Sequence, residues 1–267
     1  MIKGRHRVST PAAELELRWR EADDGATDRP PLLFVHGVKA GAWVWELWMA
    51  AAAARGWRSA ALSLRGHGQS GGRERLSRWR LRDYEDDVMR AVAEMPEPPV
   101  LVGHSMGGLL VRRVLVRSTP PAAVLVTPAG ARDGLGVTAL LARRRPWQFL
   151  RSLAFRSIRL DASDVFSPAL PPAAAEAYVA QLQDESPLAQ LEIAFAPRPR
   201  TAGCPLLVLG AGEDKLVPPV EFPRTARIYG GGCVMFAGMG HGLMAEGFWD
   251  WPLATMLGWL DAQRRDP

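Results

Sequence analysis

The sequence VLVGHSMGGLL at residues 100–110 decides the fold. An apolar run typical of a buried strand, residues 100–102, leads into a serine flanked by glycines, Ser105, and then into a helical pattern over residues 109–117. The pattern G-x-S-x-G in this context holds the serine in a tight, strained turn at the N-terminus of a helix. Because the helix dipole favours developing negative charge there, the stretch predicts a nucleophilic serine.

The chain on either side alternates strands with helices. Besides residues 100–102, strands are predicted at residues 15–20, 32–35, 59–64, 124–126 and 206–209. Helices are predicted at residues 45–55, 84–95 and 251–262. In a chain of 267 residues this order predicts one large α/β domain, with a mostly parallel central sheet and helices on both faces.

One stretch interrupts the alternation. About 80 residues between the strands at 124–126 and 206–209 carry no strong strand pattern, but they have helical patterns around residues 136–145, 146–156 and 172–183. That length is too great for a structureless loop inside a compact domain. We therefore predict a core formed by residues 1–130 and 198–267, with a helical cap inserted over residues 131–197.

A serine needs a base, and the base needs a group that orients it. Asp214 directly follows the strand at residues 206–209, and His241 lies in a glycine-rich loop before the last helix. Both positions belong to the carboxyl edge of a parallel sheet, where Ser105 also emerges. We predict a catalytic triad of Ser105, Asp214 and His241. Asp133, after the preceding strand, is the alternative for the acid.

Acyl transfer also requires amide donors for the oxyanion. The backbone N–H of Met106, directly after the serine, is the first predicted donor. The second is the N–H of Val38, because Gly37 lets the chain that follows the strand at residues 32–35 swing toward the serine. His36 is predicted to support this loop through a hydrogen bond rather than to act as a base.

Four residues are candidates for contact with the substrate: Trp43, His104, Trp147 and Leu216. Trp43 lies close in sequence to Val38, and Leu216 follows the predicted acid. His104 is adjacent to the nucleophile and is also interpreted as a structural residue. The predicted cap is mostly apolar, which favours a lipophilic acyl or aromatic ester over a sugar.

The net charge of +5 and the pI near 9.7 do not by themselves indicate nucleic-acid binding, because basic residues are spread along the chain among acids. We predict a small-molecule ester or thioester as the partner, and no nucleic acid. Arginines cluster in the predicted cap, at positions 132, 143, 144, 145, 151, 156 and 159. They are interpreted as a solvated helix face or, alternatively, as a contact for an anionic lipid surface or an acyl carrier.

The two cysteines, Cys204 and Cys233, form no disulfide framework and no metal-ligand spacing. Neither a metal nor a cofactor is expected. No apolar run has the length of a membrane span. The stretch at residues 8–13, which follows the basic start, is too short and too polar for the core of a signal peptide. These features predict a cytoplasmic protein without an integral membrane segment.

The motifs together resemble the α/β-hydrolase superfamily, from about residue 15 to residue 262. The resemblance rests on His36-Gly37, RGHGQS at residues 65–70, GHSMGG at 103–108, GEDKLVP at 212–218, and Gly240-His241. The loop at residues 66–72 is similar to the monoacylglycerol lipase and lysophospholipase branch, which implies hydrolysis of carboxylic esters beneath a helical cap. Ser63 stands where an aspartate is frequent in that branch.

The sequence therefore predicts a serine hydrolase that cleaves a carboxylic ester of a lipophilic acyl or aromatic substrate through an acyl-enzyme on Ser105. An alternative is a thioesterase or acyltransferase acting on a carrier-protein or coenzyme A thioester. Another is a ligand-binding protein that uses the hydrolase fold without catalysis. A cofactor-free haloperoxidase-like activity would use the same triad.

Overall fold

A seven-stranded sheet organises the described part of the protein. The computed structural model describes residues 13–25, 28–129, 143, 146–147, 150, 156–195 and 203–264. The strands are β1 Glu16–Arg20, β2 Leu32–Val35, β3 Ser59–Ser63, β4 Val100–His104, β5 Ala123–Val126, β6 Leu206–Ala211 and β7 Gly232–Phe236. Their order is β1-β3-β2-β4-β5-β6-β7; β1 pairs antiparallel with β3 and the other pairs are parallel. The predicted mostly parallel α/β sheet is confirmed.

The described residues contain eight α-helices, and helices lie on both faces of this sheet. They are α1 Glu46–Ala53, α2 Leu81–Glu94, α3 Met106–Val114, α4 Ala162–Val165, α5 Pro172–Val179, α6 Pro187–Phe195, α7 Glu221–Tyr229 and α8 Asp250–Gln263. Two 3-10 helices lie at Ala42–Trp45 and Arg73–Arg78. Strand β7 and helix α7 were not predicted from the sequence.

The central strands are buried because both of their faces are apolar. In β2, Leu33 and Val35 face one core cluster, which includes residues of α2 and α3. Leu32 and Phe34 face the other, which includes residues of α1 and α8. Pairing of β2 with β4 places Val35 beside Gly103, so the loops that follow these two strands leave the sheet side by side.

The start of α2 shows why a predicted boundary moved. The apolar pattern predicts a helix from residue 84, whereas α2 begins at Leu81. The Asp83 carboxylate accepts the backbone N–H of Arg80, at 2.8 Å, and so caps the helix one turn earlier. The helix predicted from residue 45 likewise becomes a 3-10 turn followed by α1.

The chain between β5 and β6, termed the inserted segment, is described at residues 156–195 and contains α4, α5 and α6 there. The helix predicted at residues 172–183 is observed as α5, which ends at Val179. The helices predicted at 136–145 and 146–156 lie almost wholly outside the described residues. The division into core and cap stays a prediction.

Within the described ranges, no helix has the length and apolar character needed to cross a membrane. The same ranges contain no group of three or more side chains arranged to hold a metal ion. Cys204 and Cys233 are free thiols, and burial raises the pKa of each.

Candidate active site

Ser105 lies at the junction of β4 and α3, in a backbone conformation that few residues other than glycine adopt. Its φ and ψ are 52° and −116°, and only 7% of its surface is exposed. A β-carbon on Gly107 would lie 2.3 Å from the carbonyl oxygen of Val35, so the turn requires glycine there. The structure thus shows the tight strand-to-helix turn that the motif predicts, with the serine at the N-terminus of α3.

Asp214 and His241 are hydrogen-bonded at the same edge of the sheet. His241 Nδ1 lies 2.7 Å from Asp214 Oδ2. The other carboxylate oxygen, Oδ1, accepts the backbone N–H groups of Leu216 and Val217, each at 2.8 Å. An ionised carboxylate only accepts hydrogen bonds, so Nδ1 carries the proton and Nε2 is left as the basic nitrogen. Glu213, the neighbouring acid, is exposed.

The loop that carries His241 is anchored beside Ser105 through His104 and Thr127. The backbone carbonyl of His241 accepts hydrogen bonds from His104 Nε2, at 3.1 Å, and from Thr127 Oγ1, at 2.9 Å. The rings of His104 and His241 are 4.8 Å apart between centroids. The structure records no hydrogen bond between Ser105 and His241, a contact that commonly tightens only when substrate binds. Asp133, the alternative acid, lies outside the described residues.

The loop after β2 approaches Ser105 closely. A β-carbon on Gly37 would lie 2.9 Å from that of Ser105. His36 Nε2 accepts the backbone N–H of Leu64 at 3.0 Å, so its Nδ1 carries the proton and donates to the Gly37 carbonyl at 2.7 Å. Burial, together with the charge of His67, lowers the pKa of His36 to about 3. Neutral His36 therefore supports the loop after β2 through its hydrogen bonds, as predicted. Val38, the predicted oxyanion donor, lies two residues further along in this loop.

The four predicted substrate contacts occupy different environments. His104 is buried, and its ring donates to the backbone of His241, so it holds the histidine loop. Burial and the neighbouring His241 keep the pKa of His104 well below its usual range. Trp147 is 74% exposed, whereas Trp43 and Leu216 are half-buried.

An aromatic cluster joins the inserted segment to the core near the histidine loop. The Tyr178 ring lies 4.8 Å from that of Trp43 and 4.9 Å from that of Phe166, both edge-on. A β-carbon on Gly242, next to His241, would lie 2.7 Å from the Phe166 ring. Tyr178 could not be predicted from the sequence, because one tyrosine in an alanine-rich helix has no distinguishing pattern.

A buried carboxylate, Glu246, holds the histidine loop against the inserted segment. Its Oε1 accepts the N–H groups of Gly240 and Ser167, both at 2.7 Å, and its Oε2 accepts the Ser167 hydroxyl at 3.0 Å. The Gly242 N–H donates to the Val165 carbonyl at 2.9 Å. Glu246 could not be predicted from the sequence, because an acidic residue in an irregular loop is expected to be exposed to solvent.

Ser63 takes part in a second carboxylate contact. Its hydroxyl donates to Glu16 at 2.6 Å and accepts the N–H of Ala42 at 2.8 Å. The same Glu16 oxygen accepts the N–H of Gln69 at 2.8 Å. Burial raises the pKa of Glu16, but these hydrogen bonds outweigh it and lower the pKa. A carboxylate from β1 therefore contacts the loop after β3 directly and the loop after β2 through the Ser63 hydroxyl.

Comparison with known proteins shows the family. Residues 32–250 match the alpha/beta hydrolase family, and the chain belongs to it. The probable esterase PIR7A of Oryza sativa subsp. indica is 33% identical over 129 residues, which are 45% of this chain and 48% of that protein. The chain spans about half the length of the curated relatives it matches.

Solved structures share the fold over almost the entire chain. The monoacylglycerol lipase of Paleococcus ferrophilus has a TM-score of 0.70 at 21% identity, covering 93% of this chain and 99% of that one. A soluble variant of the monoglyceride lipase of Saccharomyces cerevisiae has a TM-score of 0.78 at 14% identity, covering 96% and 94%. The predicted α/β-hydrolase fold is confirmed, and two of the structures that share it are monoacylglycerol lipases.

Proposed function

We propose that the protein is a serine hydrolase that cleaves a carboxylic ester of a lipophilic acyl or aromatic substrate. The observation that carries the proposal is the Asp214–His241 hydrogen bond of 2.7 Å at the sheet edge where Ser105 stands in its strained turn. A relative named as a probable esterase, of which about half the length matches this chain, supports the same activity.

In the proposed mechanism, the Ser105 oxygen attacks the substrate carbonyl while His241 Nε2 takes the hydroxyl proton. Asp214 holds the imidazole in the tautomer that this step needs. The N–H groups of Val38 and Met106 stabilise the oxyanion. His241 then protonates the leaving alcohol, and an acyl-enzyme remains on Ser105. Water, deprotonated by His241, releases the acid and restores the serine.

The aromatic cluster of Trp43, Phe166 and Tyr178 supports the proposed substrate class. These rings lie between the loop after β2 and the loop that carries His241, which are the two loops that frame the serine. Aromatic side chains offer an apolar wall suited to an acyl chain or an aromatic ring. The inserted segment would then act as the predicted cap over the site.

The first test is the turnover of a panel of esters that differ in acyl length and leaving group, with matching thioesters. Ser105→Ala should remove essentially all turnover, because the residual catalysis of such enzymes without their nucleophile is several powers of ten lower. Ser118→Ala is the matched control and should retain full activity, because Ser118 lies beyond the C-terminal end of α3, far from the end that carries Ser105. Wild-type turnover in the Ser105→Ala variant would disprove the mechanism, and a preference for thioesters would replace the proposed substrate class.

A further inference from the structure

Glu185 is a buried carboxylate in the inserted segment that contacts three parts of the core. Only 1% of its surface is exposed. Its Oε2 accepts the backbone N–H of Lys39 at 3.1 Å and lies 3.1 Å from His67 Nε2. Its Oε1 accepts the Tyr84 hydroxyl at 2.7 Å and the N–H of Ser186 at 2.8 Å. Both oxygens therefore face hydrogen-bond donors.

The contact between Glu185 and His67 shifts the pKa of each side chain toward its charged form. Burial raises the pKa of Glu185, but the charge of His67 and the hydrogen bonds to the carboxylate outweigh it and lower that pKa to about 2. Burial lowers the pKa of His67, but the charge and contact of Glu185 together with the Arg65 carbonyl outweigh it and raise that pKa. The contact of the two side chains is an ion pair rather than a well-aligned hydrogen bond. A buried charge of this kind is stable only while its partners stay in place.

The contact with Lys39 links Glu185 to the loop after β2, which carries Val38. Lys39 directly follows Val38 and has a φ of 65°, a left-handed conformation that costs energy in a residue other than glycine. Its N–H is bound by Glu185, and its carbonyl accepts the N–H of Gln183 at 2.8 Å. The Lys39 ammonium donates to the Gln183 carbonyl at 3.3 Å. The inserted segment thus binds both the N–H and the carbonyl of Lys39 and holds the backbone of this turn in place.

The same stretch also holds the loop after β3. The side-chain oxygen of Gln183 accepts the N–H of Gly68 at 2.8 Å, next to His67. His67 Nδ1 lies 3.2 Å from the carbonyl of Arg65, which fixes the ring within its own loop. Residues 183–185 therefore connect the loops after β2 and β3 through main-chain contacts.

From these contacts we propose that Glu185 is a positioning residue: by binding the Lys39 N–H, it fixes the turn that directs the Val38 N–H toward the oxyanion. The role rests on the proposed function of Ser105. Glu185 does not touch the substrate, and it acts through the backbone of Lys39. Loss of the carboxylate should therefore weaken transition-state stabilisation more than substrate binding.

Glu185→Gln is the variant that isolates this role. It keeps the size of the side chain, but the amide turns an NH₂ group toward donors, whichever way it is oriented, and removes the counter-ion of His67. We expect kcat to fall by about tenfold to a hundredfold, approaching the loss caused by removing an oxyanion donor, with KM little changed. The rate of labelling by a fluorophosphonate should fall in parallel.

Glu192→Gln is the matched control. Glu192 also joins the inserted segment to the core, because it accepts the N–H of Leu81 at 2.8 Å, but it does not contact the loop after β2. This variant should keep the kcat of the wild type. Equal losses of kcat in both variants would show a general effect of docking the segment and would overturn the positioning role.

Thermal unfolding establishes that each variant is folded before its kinetics are measured. If Glu185→Gln does not fold, Glu185→Asp keeps the negative charge but is one methylene group shorter, so the oxygen that contacts both Lys39 and His67 is withdrawn from both, and this variant should show a reduced kcat. A wild-type kcat in a folded Glu185→Gln or Glu185→Asp variant overturns the proposal. A wild type that cleaves no ester and is not labelled overturns the proposed function as well, so the two failures are distinguishable.

Discussion

At the scale of single residues, the turn around Ser105 depends on space as much as on chemistry. A β-carbon on Gly107 would lie 2.3 Å from the Val35 oxygen and 2.6 Å from the His36 oxygen. Both atoms belong to the backbone and cannot rotate away, so any larger residue must displace β2 or α3. The glycine pattern that identifies the nucleophile is therefore also a packing requirement.

We expect Gly107→Ala to lower the free energy of unfolding by more than about 2 kcal/mol, because the added methyl group overlaps fixed backbone atoms. Gly258→Ala, in the exposed middle of α8, is the control: its β-carbon would meet nothing within 4 Å. That change should stabilise the protein by about 0.5–1 kcal/mol through helix propensity. Urea unfolding of both variants measures this contrast, and equal stabilities would contradict it.

Residue patterns alone predict Ser105, Asp214 and His241 as a triad, because Ser105 and Asp214 lie in short motifs after strands and His241 lies in a glycine-rich loop before the last helix. Glu185 and Glu246 could not be found in this way. Each is an acid in an irregular stretch, and its role depends on backbone N–H groups that are far apart in the sequence. Burial of such carboxylates becomes visible only when the fold brings those donors together.

At the scale of secondary-structure elements, the sequence predicts those with strong periodicity and misses the weak ones. Strand β7 lies at the edge of the sheet and is only partly buried; its apolar run over residues 233–236 directly follows three glycines, which favour a turn when read alone. Helix α7 contains Pro223, which argues against a helix when read alone. That proline lies in the first turn, where no intrahelical N–H bond is lost.

The contact between the inserted segment and the core should depend on pH through Glu185 and His67. The pKa of Glu185 is lowered from 4.5 to about 2, so its stabilisation is present above pH 4.5 and is lost as pH falls toward 2. The pKa of His67 is raised from 6.5, so its stabilisation is present below pH 6.5 and is lost as pH rises through the raised value. Three other titratable groups lie near the pair. The Tyr84 hydroxyl donates a hydrogen bond to Glu185, and the His36 and Arg73 side chains lie near His67.

We therefore expect the pair to stabilise the protein most between pH 4.5 and 6.5. In Glu185→Gln, His67 has no counter-ion and burial disfavours its charge, so this variant should become more stable as pH rises through 6.5. The difference in Tm between the wild type and the variant should shrink above pH 6.5. Thermal unfolding across this range measures it, and a constant difference would contradict the ion pair.

At the scale of the whole molecule, strand order brings distant residues to one place. From β2 the order leads to β3 on one side and to β4 on the other, so a crevice opens between the loops that follow β2 and β4. Val38 and Ser105 lie on these two loops. Asp214 and His241 follow β6 and β7 at the same edge of the sheet. The inserted segment then joins this edge through Glu185 and Glu246.

The central claim is that Ser105 is a nucleophile activated by His241 and Asp214. Its most direct test is the reaction of the folded protein with a fluorophosphonate, followed by mass spectrometry of the labelled peptides. We expect one adduct per chain on Ser105, with labelling strongly slowed in His241→Ala and unchanged in Ser118→Ala. An adduct on another residue, or labelling at the wild-type rate in His241→Ala, would contradict it.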